Sequence, residues 1–187
     1  MIRNEKHCVK LSKFLSLVLR HKPEVASVTL DGAGWASTAQ VVQGCQKFCN
    51  QAVTESDVEY VVKTNNKKRF EFSADGLKIR ASQGHSIDSV ELGYKPQAPP
   101  ELLYHGTAAK NLQSILTKGL LKCNRQHVHL SNDVVVAVAV GQRRGEPIVL
   151  TVFAQKMYNY GYEFFLSTNG VWLTKYVSPE YLSTTRL

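Results

Sequence analysis

The chain has 187 residues and a globular composition, 43% hydrophobic and 20% charged, so we expect one domain or two small ones. No apolar run approaches the length of a transmembrane helix, and the polar N-terminal residues lack the apolar core of a signal peptide. The formal net charge of +8 favours contact with a polyanion: RNA, DNA or a phosphorylated ligand.

The four cysteines form no C-x-x-C pair, and we expect them to be reduced thiols in a cytoplasmic protein: Cys8, Cys45, Cys49 and Cys123. Cys45 and Cys49 lie one helical turn apart, which predicts positions in or near a core. No feature of the sequence demands more than a monomer.

The first predicted helix carries one apolar stripe with a 3.6-residue period, formed by Leu11, Phe14, Leu15, Val18 and Leu19. Pro23 disfavours helical geometry at Lys22, so we expect the helix to end about there. Arg20 and His21 then fall in the last turn, where cations suit the negative end of the helix dipole. Arg20 lies off the apolar stripe. A capping role does not explain why a titratable histidine stands beside the arginine.

Two further helices are predicted before residue 65. The second has Ser37 or Thr38 as its cap and an apolar face made of Val41, Val42, Cys45, Phe48 and Cys49. The third starts near Thr54, with Asp57 three residues later as a variant of the capping box. Its stripe consists of Val58, Val61 and Val62.

Two alternating runs, 69–72 and 77–81, flank the turn 73–76 and predict a β-hairpin. One face is apolar: Phe70, Phe72, Leu77, Ile79 and Ala81. The other face is polar: Arg69, Glu71, Lys78 and Arg80. Three helices followed by a hairpin suggest a winged-helix-like domain at 1–90, an analogy of fold that does not by itself establish function.

The proline-rich segment 91–101 is predicted to be a linker to a second part, 102–187. A short apolar run, 102–104, leads into His105-Gly106-Thr107, and a helix at 108–118 is expected to end at Gly119. Its inward residues are predicted to be Leu112, Ile115 and Leu116.

The rest of the second part is predicted to contain both helices and strands. The run 134–140 is ambiguous, because β-branched residues favour a strand while Asn132-Asp133 offers a helix cap; we favour a helix. Strands are expected at 128–130 and 148–153, and a hairpin at 164–173 around Thr168-Asn169-Gly170.

Several chemistries are excluded by their missing motifs: the Rossmann glycine fingerprint, the P-loop, H-E-x-x-H and G-x-S-x-G. His127 and His129 share one side of a predicted strand, but no nearby cysteine or acid completes a metal site. We therefore expect no metal.

What remains is a set of basic and polar residues at the ends of predicted elements. A solvated surface charge explains any single arginine, but several of these residues stand beside glycine, histidine or a hydroxyl residue. Arginine forks bind phosphate oxygens bidentately, so the set favours a phosphate-binding site. Its members are Arg20, His21, Arg69, Arg80, Gln83, Gly84, His85, Ser86, His105, Gly106, Thr107, Arg125 and Arg143.

Six sequence segments, in this order along the chain, match the pattern of a known family: LSKFLSLVLRHKPE, KKRFEFSADGLKIRASQGHS, LYHGT, NRQHVHLSND, GQRRG and NGVWLT. Together they resemble the NAD-dependent RNA 2′-phosphotransferases, which are associated with the last step of tRNA splicing. The resemblance runs from about Leu11 to Trp172. It implies an α+β protein with a winged-helix-like RNA-binding lobe at 1–90 and an ADP-ribosyltransferase-like lobe at 102–187. The second lobe would have mixed or antiparallel β structure with helices and would bind NAD⁺.

The resemblance implies a two-step reaction on an RNA with an internal 2′-phosphate. The phosphate attacks the nicotinamide-bearing ribose carbon of NAD⁺ and expels nicotinamide, giving an RNA-2′-phospho-ADP-ribose intermediate. The ribose 2″-hydroxyl then attacks phosphorus, which releases RNA with a 2′-hydroxyl and ADP-ribose 1″,2″-cyclic phosphate. NAD⁺ is thus a co-substrate.

The resemblance also implies roles for residues. The functional core corresponds to Arg20, His21, Arg69 and Arg125, with Arg20 and His21 facing the cleft between lobes. The NAD⁺-binding positions correspond to His105, Gly106, Thr107, Ser131 and Arg143, although a surface role for Arg143 is nearly as well supported. Four residues are expected to support the core or touch RNA, and for His85 this stays open: Arg80, Gln83, His85 and Ser86.

Two other functions remain alternatives. A non-catalytic nucleic-acid-binding module would account for the charge and the hairpin. An ADP-ribosyltransferase acting on phosphorylated nucleic-acid ends, or on protein, would use the same fold and also needs an anion site.

Overall fold

The computed structural model describes residues 5–49 and 52–184, apart from the side chain of Cys49, whose expected place near the core lies outside the described part. The chain divides into two compact units, Met1–Gly93 and Tyr94–Leu187, called here the N-terminal and C-terminal units. Across the described residues the protein is mixed α/β, with six α-helices and small antiparallel sheets. None of these helices combines the length and apolar character that a bilayer crossing requires.

The first helix, α1 (Glu5–Arg20), follows the predicted periodicity. All five residues of its stripe are buried. The helix ends at Arg20, and the N–H groups of His21 and Lys22 both donate to the Leu17 carbonyl, at 3.0 and 2.9 Å. A short 3₁₀ helix, Pro23–Ala26, follows. Arg20 is buried although it lies off the apolar stripe, and only 8% of its surface is accessible.

Two helices, α2 (Thr38–Cys49) and α3 (Glu55–Thr64), pack with α1. The predicted capping box of α3 is confirmed: the Thr54 hydroxyl accepts from the Asp57 N–H, and the Asp57 carboxylate accepts from the Thr54 N–H. Phe48, predicted on the apolar face of α2, is only partly covered. Its side chain is 48% exposed, and its ring stacks on Phe14 with centroids 4.0 Å apart.

The N-terminal unit has one three-stranded antiparallel sheet, in the order β1–β3–β2. The predicted hairpin forms its strands β2 (Phe70–Phe72) and β3 (Lys78–Ala81), and the unforeseen β1 (Ala36–Ser37) pairs with β3. Leu77 is 69% exposed rather than buried. It belongs to the turn, where its N–H donates to Asp75, so strand alternation does not apply to it.

The C-terminal unit contains three small antiparallel sheets, in the orders β11–β7–β4, β6–β9–β8 and β10–β5. The two longest strands, β4 and β7, pair along their whole lengths. The strands are β4 (Leu103–Ala108), β5 (Leu120–Leu121), β6 (Val128–Leu130), β7 (Pro147–Val152), β8 (Phe165–Leu166), β9 (Trp172–Thr174), β10 (Tyr176–Val177) and β11 (Leu182–Thr184). The predicted strands at 128–130 and 148–153 and the hairpin at 164–173 are thereby confirmed.

The helices of this unit are α4 (Leu112–Lys118), α5 (Val134–Gly141) and α6 (Ala154–Asn159), with 3₁₀ helices at Ala109–Asn111, Gln142–Arg144 and Pro179–Tyr181. Gly119, with φ +79°, ends α4 as predicted, but Leu116 is 42% exposed rather than inward. The helical choice for 134–140 is confirmed. Asp133 caps α5 by accepting from the N–H groups of Val135 and Val136.

Candidate functional site

The C-terminal end of α1 is fastened to the loop that follows β3. The Ser86 N–H donates to the Arg20 carbonyl at 3.0 Å, so it satisfies one of the carbonyls that a helix end leaves without an intrahelical partner. The guanidinium of Arg20 lies along Gly84, because a Cβ placed on that glycine would be 3.5 Å from Nη1 and 3.6 Å from Cζ. Gly84 has φ +90°, a conformation that favours glycine. The predicted residues Arg20 and Ser86 are thus brought together.

His21 is exposed, and the same loop orients it. Its Nδ1 atom lies 2.9 Å from the Ser86 Oγ atom. Ser86 therefore contacts both residues of the Arg-His pair, one through its main chain and one through its hydroxyl. Gln83 is half-buried in the same loop.

His85 lies in the interior, with 1% of its surface accessible. Neither ring nitrogen forms a hydrogen bond of regular geometry with the described residues. The nearby main chain of Leu19 acts to raise the pKa of the ring, but its effect is the smallest of those on His85. Burial, followed by the charges of Arg20, His21 and Arg80, lowers the pKa of His85 to about 4. The ring is therefore neutral at pH 7, and its burial favours support of the Arg20 loop over contact with RNA.

Arg80 has a fixed environment. Its Nε donates to the Glu71 carboxylate at 2.8 Å, its Nη1 donates to the Ala33 carbonyl at 3.2 Å, and its guanidinium lies 4.3 Å from the Trp35 ring centroid. An arginine with these three partners is held as part of the scaffold. Its charge still reaches His85.

Arg69 stands immediately before β2 and is half-buried. Its carbonyl accepts from the Ser82 N–H at 2.9 Å, and Ser82 begins the loop whose Gly84 contacts Arg20. Burial lowers the pKa of Arg69, yet a guanidinium stays protonated at neutral pH. No acidic partner of Arg69 occurs among the described residues, so its charge is available to an anion.

In the C-terminal unit, His105 is held within β4. Its Nδ1 lies 3.1 Å from the His129 carbonyl, which can only accept, so Nδ1 carries the proton and Nε2 is an acceptor. Burial, opposed by this hydrogen bond and assisted by the charges of Arg125 and Arg144, lowers the pKa of His105. The imidazole is therefore neutral at pH 7.

The charge of Arg144 contributes to lowering the pKa of both His105 and Arg125. Arg143 and Arg144 are consecutive in the 3₁₀ helix Gln142–Arg144, in which successive side chains point about 120° apart. The NAD⁺-binding role predicted for Arg143 stays a prediction, and its neighbour Arg144 was not among the predicted site residues. Surrounding protein atoms and, to a smaller extent, the charge of Arg144 lower the pKa of Arg125. The side chain of Arg125 is exposed, so solvent screens this repulsion and its guanidinium stays protonated.

Gly106 meets a requirement of packing. A Cβ at this position would overlap the Ala137 carbonyl of α5, and a Cβ on Gly141 would lie 2.7 Å from the Thr107 carbonyl. The two glycines let α5 lie directly on β4. Gly106 is thus placed against a helix backbone, and its correspondence to an NAD⁺-binding position stays a prediction.

Thr107 and Ser131 are also engaged within the fold. Thr107 is buried, and its hydroxyl accepts from the Asn111 amide at 3.2 Å. Ser131 pairs with Tyr104 through two main-chain hydrogen bonds of 2.7 and 2.9 Å, and its Oγ accepts from the Asp133 N–H. These contacts fix the segment beside His105 and the start of α5.

His127 and His129 are the two histidines that the sequence raised as a possible metal-binding pair. His127 packs edge-on to Phe165, with centroids 5.6 Å apart, and burial with the charges of Lys122 and Lys175 lowers its pKa. No group of three or more histidine, cysteine or acidic side chains placed to hold a metal occurs in the part of the chain that the structure describes.

Each unit thus contains a cluster of basic residues. The cluster of the N-terminal unit consists of Arg20, His21 and Arg69, and that of the C-terminal unit consists of His105, Arg125 and Arg144. The comparison with known sequences is more specific. The profile described as RNA 2′-phosphotransferase, Tpt1 / KptA family matches residues 6–176, and the chain belongs to this family.

Curated relatives agree over nearly the full length. A probable RNA 2′-phosphotransferase of Flavobacterium johnsoniae is 51% identical over 179 residues, which cover 96% of this chain and 97% of the relative. A protein with the same description from Acaryochloris marina is 50% identical over 91% of this chain and 93% of its own length. Another, from Herpetosiphon aurantiacus, is 45% identical over 98% of this chain and 100% of its own length. The resemblance based on six segments is confirmed.

Proposed function

We propose that this protein is an enzyme that removes an internal 2′-phosphate from RNA, such as a tRNA, by transferring it to NAD⁺. The products are RNA with a 2′-hydroxyl, ADP-ribose 1″,2″-cyclic phosphate and nicotinamide. In this proposal the N-terminal unit is a winged-helix-like RNA-binding lobe, and the C-terminal unit is an ADP-ribosyltransferase-like lobe that binds NAD⁺. Family membership and the chemistry of the two clusters support it.

The observation that carries the proposal is the arrangement at the end of α1. Arg20 and His21 are fastened to the loop of Gly84 and Ser86, and Arg69 is hydrogen-bonded to the start of that loop. A phosphate monoester has a second pKa of about 6 and is mostly a dianion at neutral pH. Guanidinium groups held by the scaffold suit such a dianion, because their donors match its oxygens bidentately.

In the first step the phosphate is already a nucleophile and needs no general base. One of its oxygens forms a bond to the ribose C1″ atom while the bond from C1″ to the nicotinamide nitrogen breaks, and nicotinamide leaves as a neutral molecule. The contribution of Arg20 and His21 is to hold the phosphate in line for attack, which is catalysis by positioning.

In the second step the ribose 2″-hydroxyl attacks phosphorus and the bond from phosphorus to the RNA 2′-oxygen breaks. The hydroxyl proton ends on the departing 2′-oxygen. Negative charge grows on the oxygens around phosphorus, and we assign its stabilisation to Arg69 and Arg125. His21 is the candidate to donate to a phosphate oxygen or to relay the proton.

The residues around His105 fit the chemistry of a dinucleotide. The Nε2 atom of His105 is an acceptor that suits a ribose hydroxyl or the nicotinamide amide, because His129 holds the proton on Nδ1. Arg143 and Arg144 are the candidates to pair with the pyrophosphate, and the charge of Arg144 helps to lower the pKa of His105. NAD⁺ supplies the electrophilic ribose carbon and the neutral leaving group.

The test is nicotinamide release by the purified protein. NAD⁺ is incubated with an oligonucleotide that carries an internal 2′-phosphate, and in parallel with the same oligonucleotide carrying a 2′-hydroxyl. We expect release that depends on the 2′-phosphate and is lost in Arg20→Ala. Release at background level with both oligonucleotides would contradict the proposal and favour a non-catalytic RNA-binding protein.

A second candidate function follows from the same cluster, because guanidinium groups recognise a terminal phosphate monoester as well as an internal one. The alternative is transfer of ADP-ribose to phosphorylated RNA or DNA ends. A terminal phosphate that has accepted ADP-ribose is a stable product unless the second step follows. Mass analysis separates the two: a retained ADP-ribosyl group indicates the alternative, and the cyclic phosphate indicates the main proposal.

A further inference from the structure

A polar groove in the N-terminal unit lies beside the cluster and has no role in the reaction described above. It is formed by one face of α1, by the end of α3 and by the turn that leads to Arg69, and its volume is about 620 Å³. This lies within the range of roughly 300–1,000 Å³ that is typical of ligand-holding clefts. The lining includes Ser12, Lys13, Ser16, Tyr60, Asn65 and Lys67.

The charge of the groove is positive. Its charged lining residues are three cations, Lys13, Lys67 and Arg69, and one acid, Glu5, which gives a formal balance of 3 − 1 = +2. Lys13 and Lys67 are exposed, so they can reach an anion without losing the solvation of a buried site.

The walls of the groove are fixed to each other. The Asn65 side-chain amide donates to the Ser12 hydroxyl at 3.1 Å, which ties the residue after α3 to the middle of α1. The Ser16 hydroxyl donates to the Ser12 carbonyl at 2.9 Å. Hydroxyl and amide groups of this kind bind phosphate oxygens, sugars and base edges, and Tyr60 adds an aromatic ring on which a base can stack.

The groove runs towards the cluster at the end of α1. Ser16 lines it, and Arg20 lies one helical turn further on the same face of α1, about 6 Å along the axis. Arg69 lines the groove, and its main-chain carbonyl accepts from the Ser82 N–H at the start of the loop that contacts Arg20. If Arg20 and Arg69 hold the reacting phosphate, the RNA strand that continues from it has a positively charged path along α1.

We propose that this groove binds the single-stranded RNA that flanks the reacting nucleotide, an inference that rests on the proposed function for its direction along α1. Lys13 and Lys67 contact backbone phosphates. The polar groups of Ser12, Asn65 and Tyr60 contact sugars and bases. The substrate is thus an RNA strand several nucleotides long, and affinity depends on nucleotides that do not react.

Binding is measured without NAD⁺, by fluorescence anisotropy of a single-stranded RNA that carries only 2′-hydroxyls, at several salt concentrations. We expect Lys13→Glu with Lys67→Glu to raise Kd about tenfold or more, and the loss of two phosphate contacts to reduce the slope of log Kd against log salt by about 1.4. Lys47→Glu is the matched control, because Lys47 is an exposed lysine of α2 outside the groove, and its Kd should stay within about twofold of wild type. If the double glutamate variant does not fold, the same measurement is made with Lys13→Gln combined with Lys67→Gln, which removes the two charges without reversing them.

The two proposals fail separately. An unchanged Kd and salt slope in the double variants, with 2′-phosphate-dependent nicotinamide release intact, overturns the groove and leaves the proposed function standing. A raised Kd in the double variant, together with a wild-type protein that releases no nicotinamide, supports the groove and removes the proposed function. Weakened binding of a phosphorylated peptide, with RNA binding unchanged, would assign the groove to a different partner and overturn the proposal.

A second measurement locates the strand. A photoreactive 4-thiouridine placed next to the 2′-phosphorylated nucleotide is expected to crosslink to peptides that contain α1 or residues 60–67. The crosslink should weaken in the double variant. Crosslinks confined to the C-terminal unit would overturn the proposed path.

Discussion

The Nδ1 atom of His21 lies 2.9 Å from the Oγ atom of Ser86. This contact joins the first residue after α1 to the loop after β3, sixty-five positions along the chain. The N–H of the same serine donates to the Arg20 carbonyl. Ser86 thus contacts both Arg20 and His21 and fixes their positions. Ser86 is therefore a positioning residue for the proposed phosphate site.

We predict that Ser86→Ala lowers kcat about three- to tenfold with little change in stability. The ring of His21 loses its orienting hydrogen bond, while the main-chain bond to Arg20 remains. Steady-state kinetics should also show an altered pH profile, and Ser86→Thr should restore activity because it keeps the hydroxyl. Ser89→Ala, at an exposed serine of the same loop, is the control. Unchanged kinetics in Ser86→Ala would mean that the contact does not matter for catalysis.

Removal of Arg69 or Arg125, which we propose to stabilise charge at phosphorus, should reveal the two steps of the proposed reaction. In Arg69→Ala and in Arg125→Ala we expect the second step to slow about 100-fold and the first step about tenfold or less, because negative charge develops at phosphorus in the second step. Single-turnover assays should then show accumulation of RNA-2′-phospho-ADP-ribose, which Lys47→Ala should not. Equal slowing of both steps, with no accumulation, would contradict the assignment.

The two consecutive arginines of the 3₁₀ helix provide a matched pair. Arg144→Ala should raise the KM for NAD⁺ about tenfold, because Arg144 is the one whose charge reaches His105. Arg143→Ala should change it by less than about twofold. Isothermal titration with NAD⁺ measures the same difference without turnover. The reverse order of effects would restore Arg143 as the NAD⁺-binding residue.

Burial of His85 predicts how stability depends on pH. Its folded pKa of about 4 lies below the ordinary value of 6.5, so the unfolded chain binds the extra proton between these values. Stability is therefore complete above pH 6.5 and is lost as pH falls through that range, by about 2 kcal/mol at pH 5. Urea unfolding at pH 7 and pH 5 measures this for wild type and for His85→Leu. Between these pH values the free energy of unfolding of His85→Leu should fall by about 2 kcal/mol less than that of wild type. An identical fall in both proteins would contradict the buried neutral ring.

Contact between β4 and α5 predicts a stability effect at a residue within the proposed NAD⁺ segment. Gly106→Ala should cost about 3 kcal/mol or more, because its methyl group meets the Ala137 carbonyl of the helix backbone, which cannot move aside easily. Gly32→Ala is the control, since a methyl group there meets no atom within 4 Å. Thermal unfolding measures both. A stable Gly106→Ala protein that has lost only NAD⁺ affinity would instead support direct ligand contact.

Local patterns predicted much of the fold because they act over a few residues. The stripe of α1, the capping box of Thr54 and Asp57 and the cap of Asp133 on α5 each depend on neighbours within one or two turns. The Asp133 cap outweighed the β-branched character of the valines that follow it. Short elements such as α6 and β11 escaped prediction, because β11 exists only through its pairing with β7.

The candidate site was predicted as a set of residues rather than as an arrangement. Burial of His85 and the fixed partners of Arg80 come from residues distant in sequence, including Ala33 and Trp35. The role of Gly106 depends on which helix covers β4, and the choice between Arg143 and Arg144 depends on rotation about a 3₁₀ helix. The joint action of Arg125 with Arg20 and Arg69 on one phosphate stays a prediction.

The central claim is that phosphorus moves from the RNA 2′-oxygen to ADP-ribose. The most direct measurement uses an oligonucleotide whose internal 2′-phosphate carries a radioactive phosphorus label, incubated with the protein and NAD⁺ and separated into its products. The account predicts that the label leaves the RNA and appears in ADP-ribose 1″,2″-cyclic phosphate, with one nicotinamide released for each labelled product. Label that stays on the RNA, or that appears as inorganic phosphate without NAD⁺, would contradict it.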